Sequence, residues 1–168
     1  MNYFVAYMSE TGNTRKVAQA IYEELPDNKE ISSLDGITSL NGYEVIFVGF
    51  PLHTFGPPEQ IRRFIKAYAL GKKVALFVTH ASSADYREMP LWLEKCRRVA
   101  RGTDFIGMFN CQGEMAPEMI EFLKKSADER LRFFGAYGPL TKGLPSEEDL
   151  CRAREFARQV IEHLDKSG

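Results

Sequence analysis

A chain of 168 residues, 44% of them hydrophobic and with a formal net charge of −1, is long enough to bury one substantial core and is most simply a single domain, 1–168. Lys plus Arg (22) nearly balance Asp plus Glu (23), which excludes the strong positive field of a nucleic-acid binder. Three cysteines without a CxxC, no run as long as a membrane span and no signal-peptide pattern lead to the expectation of a cytoplasmic protein, in a reducing compartment and without a membrane partner.

The chain opens with an apolar run, Tyr3-Phe4-Val5-Ala6-Tyr7-Met8, that reads as a first strand. Ser9-Glu10-Thr11-Gly12-Asn13-Thr14 follows, and then Val17, Ile21 and Leu25 recur at i, i+4, i+8, one face of a helix that stops near Pro26. The hexapeptide is therefore a strand-to-helix turn. Ser9, Thr11 and Thr14 bring hydroxyls to it, Gly12 lets the backbone bend at positive φ, and the first N–H groups of the helix lack internal acceptors. With the positive end of the helix dipole, those donors make a phosphate seat that needs no lysine.

Glu30-Ile31-Ser32 is a candidate second strand. Val45-Ile46-Phe47-Val48-Gly49-Phe50 is continuously apolar, as expected of a strand covered on both faces in a parallel sheet, and Pro51 stops it. A rigid loop of Leu52, His53, Thr54, Phe55, Gly56, Pro57 and Pro58 leads to a helix with Ile61, Phe64, Ile65 and Tyr68 on one face. Residues 74–79 repeat the buried-strand pattern, and His80, Ala81, Ser82, Ser83, Ala84, Asp85 and Tyr86 form the polar loop after it. A helix from about Met89 carries Trp92, Cys96, Val99 and Ala100, and residues 105–110 supply a last strand. Strands alternating with crossover helices give a parallel sheet with helices on both faces. An extra segment, 113–145, separates the last strand from the final helix. It is read as a helix over 117–127 followed by an aromatic, glycine-rich loop, 133–139. Ser146 with Asp149 resembles a capping box for the closing helix, whose apolar face is Leu150, Ala153, Ala157, Val160, Ile161 and Leu164.

The first strand, Ser-Glu-Thr-Gly-Asn-Thr and the helix after it together resemble the flavodoxin family, whose fingerprint at this place is Ser/Thr-x-Thr-Gly-x-Thr. The order of elements agrees along the whole chain, whereas GxGxxG and GxxxxGK[ST] are absent from the turn. The resemblance implies an α/β three-layer sandwich, flavodoxin-like, with a five-stranded parallel sheet of order 2-1-3-4-5. It also implies FMN at the carboxyl ends of the strands. The family's phosphate loop maps onto Ser9, Glu10, Thr11, Gly12, Asn13 and Thr14. Its first isoalloxazine loop maps onto Pro51, Leu52, His53, Thr54, Phe55 and Gly56, and its second onto Thr79, His80, Ala81 and Ser82 through Tyr86. The family commonly stacks an aromatic ring on each flavin face, and Phe55 and Tyr86 are the residues at hand; the Trp found in the first loop of many members is missing. Gly56 stands where the family's flipping peptide is expected.

Plain structural roles compete with several of these readings. Phe55 either contacts the flavin or packs under its own loop, Tyr86 either lines the site or starts a helix and faces the core, and His80 either reaches the ligand edge or caps a neighbouring backbone group. Cys111 reads as a small buried hydrophobe. His53, His80 and His163 share no metal-ligand spacing, and no metal is expected. The function so implied is electron transfer through bound FMN. One alternative is an FMN-dependent reductase acting on a small conjugated acceptor such as a quinone, and another is a flavodoxin-like interaction or regulatory module without redox activity. The partners are correspondingly redox proteins or a small-molecule acceptor, and the near-neutral charge departs from the acidic balance usual in the family's shuttles. The segment 113–145 is either a wall over the flavin or an elaboration covering the last strand.

Overall fold

The computed structural model describes residues 1–83 and 85–167. Five parallel strands, β1 (Tyr3–Tyr7), β2 (Lys29–Ser33), β3 (Val45–Pro51), β4 (Lys73–His80) and β5 (Asp104–Gln112), form one sheet in the order β2-β1-β3-β4-β5. Among the described residues six α-helices accompany them: α1 (Asn13–Glu24), α2 (Glu59–Phe64), α3 (Met89–Arg97), α4 (Pro117–Lys124), α5 (Glu129–Tyr137) and α6 (Glu147–Ser167).

The expected two-sided burial of the central strands is what the sheet shows. Val45 and Phe47 of β3 pack with Val17 and Ile21 of α1 and Ala153, Ala157 and Val160 of α6. Ile46, Val48 and Phe50 of the same strand pack with Ile61, Ile65 and Cys96 on the other face. Gly49 sits between them because a β-carbon there would fall 1.9 Å from the Phe77 ring. Between Val74/Phe105 and Ala75/Gly107 the pairing of β4 with β5 shifts by one residue. That bulge changes which face each later residue of β5 meets. Phe109 and Cys111 then join the α1/α6 face.

Several boundaries differ from expectation: β5 is longer than 105–110, the helix read over 117–127 ends at Lys124, and two strand ends move at the carboxyl edge. β4 runs on to His80 and β3 includes Pro51, so both residues belong to strand ends and not to loops. The larger difference lies after β5, where the stretch read as an aromatic glycine-rich loop is helix α5 followed by a 3-10 turn, Gly138–Thr141. Gly135 is no breaker there: a β-carbon at that position would lie 2.6 Å from the Lys124 backbone nitrogen, so the glycine lets α5 cross α4 at close range. The two ends of this helical hairpin are stitched together. Met115 N–H donates to Thr141 Oγ1 at 2.8 Å and Glu114 N–H to the Leu144 carbonyl at 2.9 Å.

α6 begins as its sequence indicates. Asp149 N–H donates to Ser146 Oγ at 3.2 Å, and Ser146 N–H donates back to Asp149 Oδ2 at 2.8 Å, a reciprocal capping box built with aspartate. No helix among the described residues is long and apolar enough to cross a membrane.

Candidate functional site at the carboxyl edge of the sheet

The strand order reverses at β1, flanked by β2 on one side and β3 on the other. A crevice outside the carboxyl ends is where an open α/β sheet of this kind receives a ligand. Three loops and the α4–α5 hairpin meet at this edge.

In the loop from β1 to α1, Gly12 precedes the helix at φ +91°, a backbone conformation that disfavours any residue with a β-carbon. α1 has no side-chain cap from that position and no acidic residue in its first turn. The Asn13 and Thr14 amides thus have no intrahelical acceptor, whereas Arg15 N–H donates to Ser9 Oγ at 3.2 Å. Thr14 is buried, its hydroxyl 2.8 Å from that of Thr79, so this pair ties α1 to β4. Asn13 Nδ2 donates to Thr11 Oγ1 (3.2 Å) and to the Glu114 carbonyl (2.8 Å). The donor set is that of an anion seat, and it fits a phosphate.

The loop after β3 is a tight hairpin. Leu52 N–H donates to the Thr79 carbonyl, and His53 and Gly56 exchange hydrogen bonds of 2.8 and 2.9 Å. The two central residues are Thr54 and Phe55, at φ +42° and +63°. A two-residue turn with both φ positive is the kind that favours Asn-Gly, so threonine and phenylalanine there carry strain on the order of 1–3 kcal/mol each. The unusual backbone therefore lies on these two residues and not on Gly56. His53 Nε2 is 3.3 Å from Glu10 Oε1, linking this hairpin to the β1–α1 loop.

At the end of β4, His80 is 4% exposed, with Nδ1 2.8 Å from the Ser82 carbonyl and Nε2 3.0 Å from the Asn110 side chain. Burial pushes its pKa below the ordinary imidazole value, and both ring nitrogens are engaged. The geometry is that of a buried histidine with a structural role. Ala81 offers its carbonyl to Gln112 Nε2 at 2.9 Å, and Gln112 also donates to Tyr137 Oη at 2.8 Å. Ser82 is buried; Ala84 lies outside the described residues. Cys111 is buried and its thiol is pushed up to about 12 by burial, which leaves it an unreactive packing residue.

Phe55 and Tyr86 come together through a residue of the helix expected from about Met89. Trp92 of α3 is 4.7 Å from Phe55 and 5.1 Å from Tyr86, ring centre to ring centre, inclined about 30° to each at 31° and 30°. Phe134 of α5 completes the cluster, 5.2 Å from Tyr86. Beside it opens a chamber of about 570 Å³, lined by Glu10, Leu52, His53, Thr54, Phe55, Ala81 and Ser82 from the strand-end loops. Trp92 with Met115, Met119, Leu123, Asp128, Arg130, Leu131 and Phe134 completes the lining. Its size suits a small-molecule site. Sequence reasoning missed Trp92, Arg130 and the α4–α5 residues. The one available signal was the lone tryptophan placed shortly after the second loop.

Residues 4–158 match the family model of the flavodoxin domain, so the chain belongs to the flavodoxin family. Among known proteins it is similar to the flavodoxin-like domain-containing protein BilS of Clostridioides difficile, at 27% identity over 171 residues that cover 96% of this chain and 97% of that one. Among solved structures, a flavodoxin from the domain Archaea superposes with a TM-score of 0.62 at 18% identity, covering 98% and 99% of the two chains. A flavoprotein in complex with FMN from Lactobacillus acidophilus NCFM gives 0.51 at 21%, over 65% of this chain and 92% of that one. At these identities the two structures establish the shared fold.

Proposed function

We propose that the protein binds FMN at the carboxyl edge of the sheet and carries electrons through it. Family membership and the FMN-bound neighbour support this cofactor. The observation that carries the reading is the anion seat at Gly12, Asn13 and Thr14 set beside the chamber, a phosphate site and a ring-sized site on one edge. Ser9 and Thr11 hydroxyls and the first amides of α1 hold the phosphate. The hairpin at 51–56 and the loop from Thr79 to Tyr86 flank the ring, and α4 and α5 exclude water from it. When bound, FMN supplies reversible electron uptake and release, while the protein supplies binding, orientation and electrostatics. An absorption spectrum of the purified protein and a titration of the flavin-free chain with FMN test this; no chromophore and no quenching of FMN fluorescence would sink it.

A second reading concerns the acceptor. The chamber extends past the strand-end loops onto Met119, Leu123 and Leu131, which favours a small conjugated molecule taken up beside the flavin, as in a reductase. The net charge of −1 gives little of the long-range steering that a shuttle between larger proteins relies on. Anaerobic titration with NADH, NADPH and dithionite separates the two. Direct reduction by a pyridine nucleotide favours the reductase, and inertness toward both nucleotides favours the shuttle.

A further inference from the structure

Arg130 belongs to α5, outside the three loops that the fold itself brings to the ligand edge, yet it reaches back to one of them. Its guanidinium carbon lies 4.4 Å from the centre of the Phe55 ring, and Nη1 is 3.3 Å from Glu88 Oε2, just before α3. Trp92 packs against the same ring at 4.7 Å. Arg130 and Trp92 thus both lie against the Phe55 ring.

The same phenylalanine sits, with Thr54, at a positive φ that neither residue type favours. Such a conformation persists only where the surroundings over-determine it. The His53–Gly56 hydrogen bonds close the turn, and the contacts of Arg130 and Trp92 bear on the ring that the turn carries. An exposed ion pair contributes little by itself, and Arg130 and Glu88 are 43% and 30% exposed. The stack is therefore the principal contact, with Glu88 aiming the guanidinium. A planar cation over an aromatic face is also what lysine reproduces poorly.

We propose that Arg130 is the positioning residue of the first ring loop. By stacking on Phe55 and anchoring on Glu88 it holds the Thr54–Phe55 turn in the form that lines the chamber, preorganising that loop for the flavin. This rests on the FMN reading above. It also gives the α4–α5 hairpin a task, since a residue of the hairpin sets the shape of a loop that precedes it by some 75 positions.

The test uses the full chain with Arg130→Met, Arg130→Lys and Glu88→Gln. Trp92 is the single tryptophan, so its fluorescence reports on these contacts without FMN. Arg130→Met keeps the aliphatic packing and removes the cation. It should red-shift Trp92 emission, at least double its quenching by acrylamide, and weaken FMN binding about tenfold as the competent loop conformation becomes less populated. Arg130→Lys should recover part of each loss, and Glu88→Gln should cost about two- to threefold in FMN affinity. Unchanged Trp92 emission and quenching in Arg130→Met would overturn the proposal. So would tighter FMN binding in that variant, because the contact would then be holding the loop shut. Failure of the FMN reading shows separately, as a wild-type chain that takes up no FMN, and the Trp92 measurements still decide whether Arg130 positions the loop.

Discussion

The β1–α1 loop and the α4–α5 hairpin stand at the same edge of the sheet and are built in opposite ways. The loop is made of consecutive residues: a glycine at φ +91° followed by the Asn13 and Thr14 amides, which lack an intrahelical acceptor. The hairpin works through contacts to residues outside it, Glu114 at its base to Asn13, Tyr137 to Gln112 and Arg130 to Phe55. On the proposed reading, one would seat a phosphate by backbone and the other would shape a ring site by side chains. Their separation means that a ligand with a phosphate and a ring should report on the two regions independently, and comparing FMN with riboflavin does this.

The largest effect should come from Trp92→Ala. The side chain is 2% exposed and touches Phe55, Tyr86 and Phe134, so its loss should lower stability by about 3–5 kcal/mol in urea unfolding. FMN and riboflavin affinities should fall together, leaving their ratio intact. Gly135→Ala forces a β-carbon to within 2.6 Å of the Lys124 backbone nitrogen and should cost roughly 1–3 kcal/mol, with near-ultraviolet circular dichroism showing a loosened aromatic cluster. A ratio of affinities that collapsed in either variant would break the comparison.

Gly12→Ala addresses the other region. Nothing lies within 4 Å of a β-carbon there, so the penalty is conformational, about 1–2 kcal/mol for an alanine at left-handed φ. FMN affinity should drop while riboflavin affinity holds. The smallest effect concerns His80. Burial lowers its folded-state pKa from the ordinary 6.5, so the unfolded chain takes up a proton that the folded one refuses. Its contribution is fully present above pH 6.5 and declines as pH falls from there toward the lowered folded value. Urea midpoints measured from pH 8 to pH 5 should show this slope, and His80→Gln should flatten it.

Legibility in the sequence followed the same division. The sheet order, the strand-to-helix turn at Gly12 and the α6 capping box could be read because each depends on residues close together in the chain: an apolar run, a hydroxyl-rich turn before a helix, a serine three positions before an aspartate. The hairpin could not. Gly135 and Gly138 read as loop residues because an isolated glycine weakens a helix, and only the approach of α4 shows why one is tolerated. Trp92 fell on the apolar face of its helix with Cys96, and nothing local distinguishes an aromatic that packs under the sheet from one that bridges two ring loops. Thr54 and Phe55 are poor residues for a turn with positive φ, so their strained geometry became visible only in three dimensions.

The hydrogen bonds from Met115 to Thr141 and from Glu114 to Leu144 bring the start and finish of the α4–α5 hairpin side by side. A closed excursion of this kind is a cassette: its length and side chains can vary between relatives without displacing β5 or α6, since closing a longer loop costs only slowly increasing entropy. The turn at Gly12 enjoys no such freedom, being bounded by a core strand and a core helix. On the proposed reading, divergence in acceptor choice should therefore accumulate in the cassette, and transplanting it between two relatives tests whether acceptor choice moves with it.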